Sequence, residues 1–223
     1  MNRTMTLREK FDILTHKGVE KDIQCLFSRY AFQDGNGQIH FDFFDHQGQP
    51  FDTEILSLQR NKKASYGISA LNLSDNVRSV FVSDSYASLI YFVNQYKGRI
   101  SFEEAGFLLI GADFDPNLVK QVFEKMPIKV KVNTVFSSSI LGRVMDCKVQ
   151  DLIHDRACSY RLSNDLIKFE NAKKVSSQPI QSFSLRTYCI SQGLKQTVRT
   201  FKPKKKAVES FYELNQQAWD VFK

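Results

Sequence analysis

The sequence predicts an α/β fold, in which a mostly parallel sheet flanked by helices follows a smaller α+β lobe with a β-meander. Buried-strand patterns at Val80–Val82, Phe107–Ile110 and Lys129–Phe136 each precede a stretch with helical spacing. Strands that alternate with helices of this length form right-handed βαβ units and therefore a parallel sheet. Ahead of them, the strand patterns between Ile39 and Leu58 are separated only by a short turn, as in antiparallel neighbours.

The N-terminal segment, residues 1–75, is expected to form the α+β lobe. Residues 1–29 carry apolar side chains at helical spacing, which predicts two short helices. The β-meander has strands at Ile39–Phe44 and Phe51–Leu58, bounded by the turn sequences DGNG and DHQG. It ends in a basic segment, Arg60–Lys63, that is expected to be exposed.

The second segment, residues 76–223, is expected to hold the parallel sheet. Its first helix is predicted to begin at Ser83 or Asp84 and to run to about Tyr96. The Asp115–Pro116 pair predicts the N-cap and the first turn of the next helix, because an aspartate accepts free backbone N–H groups and proline fits a first turn.

The third strand is followed by a serine run and a helix. Ser139 is the predicted N-cap of this helix. Five apolar side chains are expected on one helical face, namely Leu141, Val144, Met145, Val149 and Leu152. In α/β sheets such a strand-to-helix turn is where ligands bind, so we expect the functional site here.

The region after this helix is less regular, and residues 155–193 are interpreted as an insertion. Asn171–Gln178 is polar and predicts a loop, whereas Ser182–Gln192 predicts a helix that ends at a glycine. A last strand is predicted at Gln196–Phe201, and a final helix follows the lysine run at 204–206.

Composition excludes several classes of protein. Of the 223 residues, 42% are hydrophobic and 25% are charged, which is typical of a globular chain. The four cysteines and four histidines show no zinc-ligand spacing, so neither a metal nor a cofactor is predicted. No apolar run approaches the roughly 20 residues of a membrane span, and we expect a cytoplasmic protein with reduced thiols. The net charge of +7 permits an anionic partner such as nucleic acid.

The serine run carries a family resemblance. Residues 137–143, SSSILGR, resemble the Toprim motif of primases and topoisomerases, which reads D-N-D-x-x-G-R/K. Gly142 and Arg143 match the motif, while Ser137 and Ser139 stand where the family has its two metal-binding aspartates.

The resemblance extends over residues 37–220, apart from the insertion. Residues 82–91 resemble the family phrase E-S-x-I-D-A-L-S-Y, with Ser83, or Val82 if the alignment shifts by one, in the place of the catalytic glutamate. Residues 201–214 resemble a family ending in which Ser210 takes the place of an aspartate. Phe41–Gly48 resembles a strand pair that precedes the Toprim fold in primase-like proteins of plasmids and mobile elements.

The resemblance implies a Toprim-like protein without catalysis, because Mg²⁺ prefers carboxylates and a serine hydroxyl is a weak neutral ligand. The implied partners are DNA or RNA and replication or mobilisation proteins, and no membrane. The candidate nucleic-acid or phosphate ligands are Ser137, Ser138, Ser139, Gly142, Arg143, Arg60, Lys62, Lys63, Lys202, Lys204, Lys205 and Lys206.

Three alternatives stay open. The first is a metal-dependent nucleotidyl transferase or nuclease whose acids have moved, for which Asp84, Asp113 and Asp115 are candidates, although helix capping explains the first and last. The second is nucleophilic catalysis by a serine of the run or by a cysteine, but the G-x-S-x-G context is missing and Cys147 lies among apolar residues of a helix. The third is a protein–protein interaction scaffold.

Overall fold

The computed structural model describes residues 11–58, 61–127, 129–172, 174–204 and 208–220. Helices and strands alternate through most of these ranges. In chain order they are α1 (Asp12–His16), α2 (Lys21–Ser28), β1 (Ala31–Gln33), β2 (Ile39–Phe44), β3 (Pro50–Leu56), β4 (Ile68–Leu71), β5 (Ser79–Ser83), α3 (Tyr86–Tyr96), β6 (Ala105–Ile110), α4 (Pro116–Glu124), β7 (Lys131–Thr134), α5 (Ile140–Ile153), β8 (Ser159–Ser163), β9 (Leu166–Asn171), β10 (Lys174–Pro179), α6 (Leu185–Gln192), β11 (Arg199–Thr200) and α7 (Phe211–Asp220).

The large sheet has eight strands in the order β1-β2-β4-β6-β5-β7-β11, with β3 also paired to β2. The pairs of β5 with β6, of β5 with β7 and of β7 with β11 are parallel, and the remaining pairs are antiparallel. Helices flank this sheet, so the predicted α/β class is confirmed. None of the helices in the described ranges has both the length and the apolar composition of a bilayer span.

The antiparallel strands of the N-terminal segment belong to the same sheet as the parallel strands. β4 makes the connection, because Ile68 pairs with Phe44 of β2 and also with Ile110 of β6. The two predicted segments, 1–75 and 76–223, therefore share one sheet, and their division at residue 75 stays a prediction.

Each face of the sheet has its own apolar core. One core packs α1, α2, α3 and α7 against the sheet, and at its centre the rings of Phe41 and Tyr86 stack with centroids 4.1 Å apart. The other core packs α4, α5, α6 and a three-stranded antiparallel sheet of β8, β9 and β10, with Phe169 and Tyr188 in contact. Both faces of the parallel strands are thus covered, as their apolar sequences require.

Strands β1, β4, β10 and β11 differ from the sequence prediction. Asn171–Gln178 was predicted as a loop and is mostly strand β10, whose polar side chains hide the alternation that would identify it. β1 and β4 are too short to predict from pattern. The last strand is only Arg199–Thr200, because the Gln150 side chain accepts the backbone N–H groups of Thr197 and Val198 that a longer strand would use.

The helix ends agree better with the sequence. Asp115 and Ser139 cap α4 and α5 as predicted, and α6 ends at a glycine. The cap of α3 is Ser85, not Ser83 or Asp84. Leu141 was predicted on the apolar face of α5 but is 74% exposed, since it lies in the first turn, beyond the core. Residues 1–10, part of the first predicted helix, lie outside the described residues.

Candidate functional site

A cleft of about 690 Å³ lies at the carboxyl ends of β5 and β7. It is the position at which open α/β sheets bind ligands. The cleft is lined by segments distant in sequence, with polar side chains from Glu54, Asn61, Lys63, Asp84, Ser85, Ser88, Ser137, Ser139, Lys148, Glu209, Ser210 and Glu213.

Three helices begin at this cleft, and a serine caps each of them. The hydroxyl of Ser85 accepts the N–H of Ser88 in α3, Ser139 accepts that of Gly142 in α5, and Ser210 accepts that of Glu213 in α7. A helix N-terminus carries a partial positive charge and unpaired N–H groups, which favour anions. The Glu54 carboxylate already accepts the first N–H groups of α3, so the N-termini of α5 and α7 are the two that add positive backbone potential at the cleft.

The serine run, Ser137–Ser139, is hydrogen-bonded within the protein. The hydroxyl oxygens of Ser137 and Ser139 are 2.6 Å apart. Ser138 donates its backbone N–H to the Glu209 carbonyl at 2.7 Å and its hydroxyl to the Val208 carbonyl at 3.4 Å. The run thus fastens the segment before α7 to the start of α5.

Gly142 allows the close contact between the start of α5 and the serine run. A Cβ at this position would lie 2.1 Å from the Ser137 carbonyl oxygen and 2.6 Å from the Ser137 hydroxyl. A side chain here requires the backbone to move, so the G in the SSSILGR sequence has a structural role beside any functional one.

Ser83 and Ser210 are both buried, and both have partners within the fold. The Ser83 hydroxyl lies 3.1 Å from the Val135 carbonyl oxygen and 3.2 Å from that of Ser85, so it joins the end of β5 to the chain that follows β7. Ser210 is the α7 cap. These two serines, which the Toprim resemblance places at acidic positions, act here as hydrogen-bonding groups of the framework.

Lys202, a predicted phosphate ligand, is instead held by an internal ion pair. Its ammonium lies 2.7 Å from the carboxylate of Asp146 and donates to the carbonyl oxygens of Phe136 and Ser137. Asp146 also accepts the Thr134 hydroxyl at 2.6 Å. Burial lowers the pKa of Lys202 and raises that of Asp146, and the contact between the two charges opposes both shifts.

Lys63 lies at the cleft beside three carboxylates. Its ammonium is 2.9 Å from Asp84, and Glu54 and Glu213 add to the negative field around it. Burial acts to lower the pKa of Lys63, but these carboxylates outweigh it and raise the pKa. The other carboxylate oxygen of Asp84 is buried with no hydrogen-bond partner in the described residues.

Glu54 is a functional candidate that sequence reasoning missed. It is fully buried on β3 and accepts hydrogen bonds from the Ser85 hydroxyl and from the backbone N–H groups of Tyr86 and Ala87, at the start of α3. Burial raises its pKa to about 7, against the effect of these donors. The available signal was an acid two residues before buried Leu56, on the inward face of a predicted strand.

The remaining candidates lie apart from the cleft lining or outside the described residues. Arg143 donates to the carbonyl oxygens of Ile180 and Phe183, between β10 and α6. Lys62 is exposed and 3.5 Å from Asp52, and Lys204 is exposed where the chain leaves β11. Arg60, Lys205 and Lys206 are outside the described residues.

The acids named in the alternative metal hypothesis do not meet. Asp115 caps α4, accepting the N–H groups of Asn117 and Leu118, and Asp113 is exposed beside Ser65. Across the ranges that the structure describes, no three histidine, cysteine, aspartate or glutamate side chains come together as a metal site.

Known protein families give no match: no family model and no curated protein matches this chain. Among solved structures, the primase fragment of the bacteriophage T7 primase-helicase protein is similar, with a TM-score of 0.50 and 11% identity over 95% of this chain and 71% of that chain. T7 lagging-strand DNA polymerase interacting with primase domains, bound to an RNA/DNA hybrid and dTTP, gives a TM-score of 0.43, 11% identity and coverages of 96% and 89%. A DNA primase domain from Pseudomonas aeruginosa gives a TM-score of 0.31 and 14% identity, over 64% of this chain and 50% of that chain. The first likeness shows that the chain has a primase-like fold.

Proposed function

We propose that this chain is a catalytically inactive Toprim-like protein that binds nucleic acid in DNA replication or mobilisation. The observation that carries the proposal is the convergence of the N-termini of α5 and α7 with Lys63 and Lys148 on one cleft of a primase-like fold. Phosphate groups are bound by such N-termini and by lysine ammonium groups.

The side chains around the strand ends support the absence of catalysis. At the positions of the Toprim resemblance the chain offers hydroxyl groups, whereas Mg²⁺ requires carboxylates together with waters or phosphates. Of the carboxylates beside the ends of β5 and β7, Asp84 and Asp146 are each bonded to a lysine ammonium, and Glu54 is bonded to the Ser85 hydroxyl and two backbone N–H groups. A metal ion would have to displace these ammonium groups, so the donor set fits Mg²⁺ poorly.

The nucleic-acid contacts are assigned to exposed basic residues at the rim of the cleft. Lys62 and Lys63 lie on one side, with side-chain exposures of 63% and 48%. Lys204 is also exposed, and it lies two residues after Lys202, which hydrogen-bonds to the Phe136 and Ser137 carbonyl oxygens. We assign Arg143 to the framework instead, because its guanidinium is bonded to two carbonyl oxygens.

The test is fluorescence-anisotropy binding of a labelled single strand and a duplex, each about 12 nucleotides long, at about 50 and about 200 mM salt. Each titration is made with Mg²⁺ and again with EDTA. We expect affinity to fall steeply with salt, because phosphate contacts release counterions, and to be equal with EDTA. Lys204→Glu should reduce the slope of log affinity against log salt by about one.

The matched control is Lys168→Glu, the same charge change at an exposed residue of β9 outside the cleft lining, which should leave binding unchanged. Absence of binding at the lower salt concentration would overturn the proposal and favour a protein–protein scaffold. Binding that EDTA abolishes would overturn the metal-independent part of the proposal and favour a metal-dependent site.

A further inference from the structure

Two aromatic side chains stand exposed next to the cleft. Phe51 is 63% exposed and Tyr66 is 51% exposed, and their rings are edge to face, with centroids 6.2 Å apart. Among the phenylalanine and tyrosine side chains that the structure describes, only these two are more than half exposed. Leaving two adjacent rings in water forgoes the stabilisation of burying them, which indicates a use for this surface.

Asp52 connects the backbone at Phe51 with the backbone at Tyr66. Asp52, directly after Phe51, accepts the backbone N–H of Ser65 at 2.7 Å and that of Tyr66 at 3.3 Å. On the other side of Tyr66, the Gly67 carbonyl accepts the N–H of Gly111 at the end of β6. The backbone that carries both rings is therefore fixed before any ligand arrives, which reduces the entropic cost of binding.

The aromatic pair is continuous with the basic side of the cleft. One short segment, residues 61–66, contributes Asn61 and Lys63 to the cleft lining and Tyr66 to the pair. Lys62, which lies between Asn61 and Lys63 in the sequence, has its ammonium 3.5 Å from the Asp52 carboxylate. A ligand that combines a negative backbone with flat apolar groups could contact the lysines and the rings together.

We propose that Phe51 and Tyr66 form a stacking platform for an unpaired base of a single-stranded nucleic acid whose phosphates contact Lys62 and Lys63. The proposal rests on the proposed function and adds the preferred form of the ligand. Stacking on an aromatic side chain contributes about 1–3 kcal/mol per base and tolerates any base. Bases inside a duplex are already stacked, so the platform favours single strands.

A protein partner fits this surface less well. Two exposed rings bordered by Lys62, Lys63 and Asp52 form a small apolar area, whereas a stable protein interface requires a much larger one. The outer edge of β3 is also partly paired, because Ile55 exchanges two backbone hydrogen bonds with Lys62. That pairing leaves less of the strand edge for an added strand from a partner.

The experiment compares wild type with the double variant Phe51→Leu/Tyr66→Leu, which keeps apolar side chains but removes both rings. Anisotropy is measured with single-stranded DNA, single-stranded RNA, a duplex and a single strand whose sugars carry no bases. We expect the variant to lose about tenfold or more in affinity for the base-containing single strands and to bind the duplex and the abasic strand like wild type. The comparison of single-stranded DNA with single-stranded RNA shows which nucleic acid supplies the unpaired base.

Two controls make the result specific. Tyr66→Phe retains the ring and should retain binding, and Leu162→Ala alters a side chain on β8 that is 62% exposed and outside the cleft lining. If wild type binds single strands and the double variant binds them equally well, the platform is overturned and the proposed function stands. If wild type binds none of the four ligands, the platform and the proposed function both fail. If the double variant loses as much affinity for the abasic strand as for the base-containing strands, stacking is overturned as the cause.

Discussion

At the scale of single residues, Glu54 is a buried carboxyl at the cleft on which burial and hydrogen bonding act in opposite directions. Its carboxylate accepts three hydrogen bonds at the start of α3, which favour the ionised form, while complete burial disfavours it. Burial has the larger effect and raises the pKa to about 7. A buried group that ionises near pH 7 links the geometry of the cleft to pH.

This pKa gives a prediction for stability. A carboxyl whose pKa is raised in the folded state stabilises the fold fully below its unfolded value of 4.5, and that stabilisation is lost as the pH rises through about 7. Glu54→Gln cannot ionise. Urea unfolding of the variant and wild type from about pH 4.5 to about pH 8 should therefore show the free-energy difference moving in favour of the variant, by up to about 3 kcal/mol.

The control for this prediction is Glu170→Gln, the same chemical change at an exposed residue of β9. Asp146 and Asp151, whose pKa values are also raised by burial, are present in every protein compared and cancel in the difference. Parallel stability curves for wild type and Glu54→Gln would show that Glu54 has the same pKa in the folded and unfolded states.

Single residues also show which parts of a site the sequence can predict. The Asp115 and Ser139 caps depend on neighbours within three residues, and both were predicted. The bonds of Lys202 to Asp146 and of Glu54 to the start of α3 join residues far apart in the chain. Such partners follow from tertiary packing, so the sequence identified Lys202 as a charge but not its role.

At the scale of elements, α5 begins in close contact with the serine run. Its first turn lies against the Ser137 carbonyl, and only a glycine at position 142 avoids a clash with it. Local pattern predicted this helix and its cap because the helical spacing and the serine are adjacent in sequence. β10 escaped prediction because its pairing with β9 does not depend on apolar alternation.

The close contact at Gly142 gives a prediction for the helix. Gly142→Ala should lower the free energy of unfolding by about 1–3 kcal/mol, because the added Cβ forces α5 away from the serine run. Gly98→Ala is the matched control, since a Cβ there meets no atom within 4 Å. Urea denaturation followed by circular dichroism measures both. Equal stability of the two variants would show that the junction adjusts without cost.

At the scale of the whole molecule, one sheet runs through both segments that the sequence separates at residue 75. The core on one face draws Phe27 and Phe41 from the first segment and Tyr86, Phe107 and Phe211 from the second. Sequence patterns identify strands one at a time. The chain was divided at residue 75 because the pattern changes there from consecutive strands to alternating strands and helices. Strand order depends instead on β4, which is too short to be recognised.

The shared sheet and core predict that the chain unfolds as one cooperative unit. Phe41→Ala, in the first segment, removes the ring that stacks on Tyr86 and should cost about 3–5 kcal/mol. Hydrogen exchange in increasing urea should then show protection in residues 39–56 and in residues 79–110 lost together, at a midpoint lowered equally for both. Leu162→Ala, on exposed β8, should shift neither. If Phe41→Ala lowered the midpoint only for residues 39–56, the N-terminal segment would be a lobe that folds by itself, as the sequence alone suggests.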